Sequence, residues 1–246
     1  MFLEYKPDKS YPMAAAHRPE FGQRFLDYLL QVSLIIVGLV IATSVDRCNT
    51  GRKDRQRLTD YYQAIYKDLE EEQLSTENNL GDAIRDVANL ETAIRRFGYA
   101  QVDSAAAGLQ ALNSVLRKGV FRSFSPTTYE VMLNTGDISL IADIELRSEL
   151  AGVFAFRNNV VRRDLEDYDE LVLHTIQSLS AFLHPECVES LREEPECIRD
   201  AAGLADHGVD DLIVLSLFAR NRLFHLQIAE ENLAEARKRV GEQLSD

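Results

Sequence analysis

Residues 29–45, LLQVSLIIVGLVIATSV, run for seventeen positions without a charge. As an α-helix that run rises roughly 26 Å at about 1.5 Å per residue, close to the apolar thickness of a bilayer. Adding Phe25, Leu26, Asp27 and Tyr28 completes a membrane span. The run starts late in the chain, and Ala42-Thr43-Ser44 is a poor imitation of a signal-peptidase site, so a retained anchor is expected rather than a cleaved leader. One N-terminal transmembrane helix over 25–45 is the first expectation.

The rest divides around it: an N-terminal tail over 1–24, a basic juxtamembrane collar over 46–57 and an acidic helical domain over 58–246. Pro7, Pro12 and Pro19 punctuate the tail, and Pro19 permits a helix start at Glu20. The net charge of −13 is uneven. From position 58 onward eighteen basic residues face thirty-four acidic ones. A surface that acidic repels nucleic acid and anionic lipid. The collar residues Arg47, Arg52, Lys53, Arg55 and Arg57 instead suit lipid headgroups.

The periodicity predicts an all-α fold, the membrane helix continuing into a helical bundle with long helices. No proline interrupts 20–125. Apolar residues recur at Leu58, Tyr62, Ile65 and Leu69, then at Leu80, Ile84, Val87, Leu90, Ile94 and Phe97, in steps of three and four. A second helix reads over 102–117 with Gly119 beyond it. A short third helix reads from Ser125-Pro126, as N-cap and first turn, to the glycine stop at Gly136. A long helix follows over 144–183 on Leu146, Leu150, Val153, Val160, Leu165, Tyr168, Leu171, Ile176, Leu179 and Leu183. The last opens at Asp210 or Asp211 and carries Leu212, Leu215, Ala219, Leu223, Leu226, Ala229, Leu233, Val240 and Leu244.

Within the anchor, Gln31, Gly38, Ala42 and Val45 share one face, and Gly38-x3-Ala42 is a small-x3-small pair that admits a second helix. Asp68, Glu70, Glu71 and Glu72 are consecutive enough to point in different directions, which disfavours one shared ion. Glu170 and His174 share a face, but no metal set is expected and no cofactor either. Arg157 sits on an apolar stripe, as Glu72 and Gln73 do on another. It either joins them in a buried polar layer or snorkels to the surface. No phosphate loop, nucleophile elbow or Cys-x2-Cys is present, so no catalytic residue is assigned and a non-enzymatic role is favoured.

Sidedness pulls two ways. Five Lys/Arg flank the C-terminal side of the span and two the N-terminal side, which places the large domain in the cytoplasm. Cys187 and Cys197, in HPECVESLREEPEC, are a possible disulfide, which places it in an oxidising compartment. The cysteines tip the reading to the periplasmic side.

Two blocks carry a family resemblance. Gln31, Gly38, Ala42, Asp46 and Asn49 fall in register with a membrane helix of the form Gly-Glu-(apolar)6-Ile-Gly-(apolar)3-Ala, followed by Asn and Trp. Tyr129, Leu133, Gly136, Leu140-Ile141, Leu146 and Leu150 match a second hallmark. The chain thus resembles a family of bacterial single-pass membrane proteins catalogued as domain of unknown function 6090. Leu30, Gln31 and Cys48 depart from its Gly, Glu and Trp. The resemblance implies anchoring in a bacterial inner membrane and carries no activity with it.

The function expected from these features is an accessory or scaffold subunit of a membrane protein assembly. Its partners would be the lipid bilayer and either a membrane protein or further copies of itself. A membrane-tethered sensor or ligand-binding module is the alternative.

Overall fold

A computed structural model describes residues 21–116, 127–188 and 194–245; the side chains of 21–28, 43 and 45–48 lie outside that description. Two compact units divide the chain, residues 1–55 and residues 56–246. Helix α1 (Phe21–Phe97) is followed by α2 (Val102–Leu116), α3 (Thr128–Thr135), a 3₁₀ turn (Asp137–Leu140) and α4 (Ile144–Phe156). A π-turn (Arg157–Val161) then leads into α5 (Arg162–Ser180). Two short helices, α6 (Pro185–Val188) and α7 (Ala201–Gly203), flank a 3₁₀ turn (Pro195–Cys197). A second π-turn (Leu204–Gly208) opens α8 (Val209–Ser245). The described residues are helical with no strand, as the periodicity predicts; an isolated antiparallel bridge joins Leu183 and Ile198.

Helix ends follow their local chemistry. Ser125 and Pro126 lie outside the described residues, and α3 is capped by Thr127 instead. The Thr127 hydroxyl accepts from the Glu130 amide while the Glu130 carboxylate accepts from the Thr127 amide, a reciprocal capping box. Gly136 ends α3 at φ +79°, in the left-handed region where a side chain is strained. Asp143 caps α4 by accepting from the amides of Glu145 and Leu146. The expected helix over 144–183 is one rod with a π-turn inserted at Arg157, and it closes at Ser180.

In residues 56–246 the buried seam of α1 is Tyr62, Ile65, Leu69, Thr76, Ala83, Asp86, Leu90, Ala93 and Phe97, a 3–4 repeat. The large apolar residues Leu80, Val87 and Ile94 sit half-buried beside it, and Ile84 is exposed. Helix α8 runs antiparallel to this part of α1, since Arg220 meets Glu91, Arg222 meets Asp86 and Arg237 meets Gln73. One core cluster gathers Leu90, Phe97, Leu109, Tyr168, Leu179 and Leu215. Another gathers Tyr62, Leu69, Tyr129, Leu150, Phe154 and Leu233. A smaller one, Ala83, Val161, Leu226 and Ala229, lies between them along α1 and α8.

Candidate functional site

Two buried ionic centres bracket that middle cluster, fourteen residues apart on α1. At the first, Arg157 is 7% exposed and its Nε lies 3.0 Å from Glu72 Oε2. Its Nη1 donates to Asn158 Oδ1 at 2.9 Å, and Asn158 Nδ2 donates to Glu130 Oε1 at 2.6 Å. Arg157 continues the buried stripe of Leu146, Leu150 and Val153 at helical spacing, and the π-turn begins at it. Arg157 is therefore buried in a polar layer and does not snorkel.

The second centre was not foreseen in the sequence. Asp86 is fully buried, with Arg222 Nη1 at 3.2 Å and the Tyr168 hydroxyl at 3.4 Å from Oδ2. The guanidinium carbon of Arg222 stands 4.6 Å from the Tyr168 ring centre. Burial, and then the Asp86 charge, push the Tyr168 phenol well above its ordinary range. Burial also raises the Asp169 carboxyl, against the pull of Arg222. Carboxylate, guanidinium and phenol answer one another here, which penalises any slip of α8 along α1.

The acidic cluster of α1 diverges as its spacing implies. Asp68 accepts from the Thr128 amide at 2.5 Å, Glu70 approaches Arg237 at 3.7 Å, Glu71 pairs with Lys67 at 3.5 Å and Glu72 takes Arg157. Glu170 and His174 are both exposed, and among the described residues no three His, Cys, Asp or Glu side chains converge as a metal set. Another pair, His225 Nδ1 and Asp164 Oδ2, joins α8 to α5 at 2.5 Å. An open groove of about 410 Å³ is lined by Tyr66, Gln73, Ala234, Arg237, Lys238 and Gly241. Within it Arg237 already donates to Gln73 Oε1 at 2.9 Å.

The expected anchor positions are distributed as follows. Gln31, Gly38 and Ala42 are exposed on α1, and no side chain comes within 4 Å of a Cβ built on Gly38. Leu34, Ile36, Leu39 and Ile41 around them are exposed too, Leu34 by 75%. Val45 and Arg47 have side chains outside the described residues. Among the described residues no helix is long and apolar enough to cross a membrane. Arg52, Lys53 and Arg55 are exposed, whereas Arg57 donates to Asp137 at 2.5 Å, beside the Tyr61 hydroxyl on the same carboxylate oxygen. The Tyr61 hydrogen bond holds the Asp137 carboxyl below its ordinary range against the opposing cost of burial, with smaller help from a Thr135 hydrogen bond and then from Arg57. Cys187 and Cys197 form a disulfide with Cα atoms 5.6 Å apart.

No protein-family model, curated protein or solved structure matches the chain.

Proposed function

We propose that this protein is a membrane-anchored helical scaffold, an accessory subunit that holds its acidic bundle beside a membrane assembly. The observation that carries the reading is the uncharged run of residues 29–45, whose described large apolar side chains stand exposed rather than packed. An apolar surface of that extent on one helix is costly in water and costs nothing in lipid. The exposed Arg52, Lys53 and Arg55 fit the headgroup layer beyond it. On this reading Gln31, Gly38, Ala42 and Val45 face a partner helix in the bilayer. The likeness of residues 31–49 and 129–150 to a bacterial single-pass family supports an inner-membrane location. A Cys187–Cys197 disulfide favours the periplasmic side for the bundle.

The test is extraction of membranes at alkaline pH, followed by mild detergent. The full chain is expected to stay with the membranes, to leave them when Ile36 and Val40 become Lys, and to bring a stoichiometric second chain or copy into detergent. Recovery of the wild-type chain in the aqueous wash overturns the anchor. A lone monomer in detergent overturns the scaffold role.

A further inference from the structure

Helix α8 carries a second seam on the side turned away from the core. Asp210, Ile213, Leu217, Arg220 and Phe224 follow one another in steps of 3, 4, 3 and 4, and all five are exposed. The exposure is large for apolar residues: Ile213 44%, Leu217 55% and Phe224 58%. Val214 and Phe218 widen the stripe. A regular 3–4 repeat of outward apolar residues is the pattern by which one helix receives another.

The charges on the seam say which helix. In a parallel pair, Asp210 would face Asp210 and Arg220 would face Arg220, like against like. In an antiparallel pair centred on Leu215, Asp210 meets Arg220 of the second copy and Ile213 meets Leu217, each contact occurring twice by symmetry. Opposed helix dipoles also align favourably there. Arg220 already donates through Nη2 to Glu91 at 2.8 Å on the surface. The guanidinium has five donors in all, so one further carboxylate is within its capacity. We infer that the outward face of α8 is an isologous interface, and that its occupant is α8 of a second copy of this chain, running antiparallel. In that register the paired stretch runs from Asp210 to Arg220, roughly 15 Å, with Phe224 beyond it; this is short for a standard interface, which makes the pairing concentration-dependent. All of it lies in residues 56–246, so it stands apart from the membrane reading.

The test is cross-linking of the full chain in intact cells, in a Cys48→Ser background, with a membrane-permeant oxidant. One tagged copy carries Ile213→Cys and a differently tagged copy Leu217→Cys. The mixed pair is expected to cross-link at least about fivefold more than either like pair, and more than a Leu173→Cys control, which is more exposed than either position. Adding Asp210→Arg to both copies is expected to remove most of the yield, and adding Arg220→Asp as well to restore it. Like pairs in excess, yields no higher than the control, or no rescue by the double reversal overturn the inference. The mixed yield is also expected to persist when Gly38 and Ala42 become Leu. Loss there, with no response to Asp210→Arg, assigns the pairing to the anchor and overturns the α8 interface while leaving the membrane reading intact.

Discussion

Arg222 Nη1 lies 3.2 Å from Asp86 Oδ2 at a point where Asp86 is wholly buried and Arg222 is 6% exposed. A pair this dry is asymmetric in its energetics. Removing one partner strands the other charge, at a cost of about 3–5 kcal/mol, while replacing both by apolar residues is close to neutral. Asp86→Ala is therefore expected to lower the unfolding free energy in urea by about 3–5 kcal/mol, and Arg222→Met by a similar amount. The double variant Asp86→Leu, Arg222→Met is expected to recover most of the loss. A single-variant cost below about 1 kcal/mol contradicts a desolvated pair, as does strict additivity in the double variant.

Tyr168 provides a pH readout of the same centre. Burial, and then Asp86, raise its phenol above the ordinary value near 10. A raised folded value means that the neutral phenol is preferred in the fold. Its contribution is complete below pH about 10 and drains away as pH rises past it. The wild-type chain is expected to lose stability above pH 10 more steeply than Tyr168→Phe. The difference in phenolate absorbance between the two is expected to appear only on unfolding. A Tyr168 contribution that titrates in the ordinary range with the helices intact contradicts the burial.

The sequence shows where the helices lie better than it shows which face they bury. Leu80, Ile84, Val87 and Ile94 draw the eye along α1, yet the seam passes through Thr76, Ala83, Asp86 and Ala93, one residue to the side. An apolar count discards these small and polar residues, and they are the ones that let α8 approach and Arg222 reach in. The same substitution occurs on α8, where Arg222 takes the seam position and Leu223 is left half-buried. On the following rod, Leu146, Leu150, Val153, Tyr168 and Leu179 are buried as expected, while beyond the π-turn Val161, Val172 and Thr175 are buried in place of their neighbours Val160, Leu171 and Ile176. The Arg157–Glu72 layer was legible because both residues stood on apolar stripes. The Asp86–Arg222 pair was not, because neither charge looks misplaced until the true register is known.

Gly108 tests the packing of α2 on α1. A Cβ at this position would fall 2.4 Å from Phe97 Cε1 and 2.6 Å from Phe97 Cδ1, and Phe97 is fully buried. Alanine is the better helix former, by about 1 kcal/mol on an open surface. Here the ring has nowhere to go, so overpacking dominates. Gly108→Ala is expected to cost about 1–3 kcal/mol, read as a drop in the thermal midpoint. A paired Phe97→Leu is expected to relieve part of it. A midpoint that rises with Gly108→Ala contradicts the close approach.

The Cys187–Cys197 bridge closes a loop whose backbone is also held by hydrogen bonds. The His184 amide donates to the Cys197 carbonyl at 3.0 Å, and the amides of Arg199 and Asp200 both donate to the Phe182 carbonyl, at 2.9 and 3.2 Å. Leu183 and Ile198 pack into the main core on either side. The native arrangement therefore has support beyond the sulfur link, and reduction acts mainly on the unfolded chain, which regains the freedom of a ten-residue separation. Chain-entropy reasoning puts that at about 3 kcal/mol. Reductant is expected to lower the urea midpoint by the equivalent of about 2–3 kcal/mol while leaving the far-UV helical signal unchanged. The Cys187→Ser, Cys197→Ser chain is expected to start at the lowered midpoint and to show no further response to reductant. Loss of helical signal on reduction would instead make the bridge a requirement of the fold, and an unchanged midpoint would mean the two sulfurs are not joined.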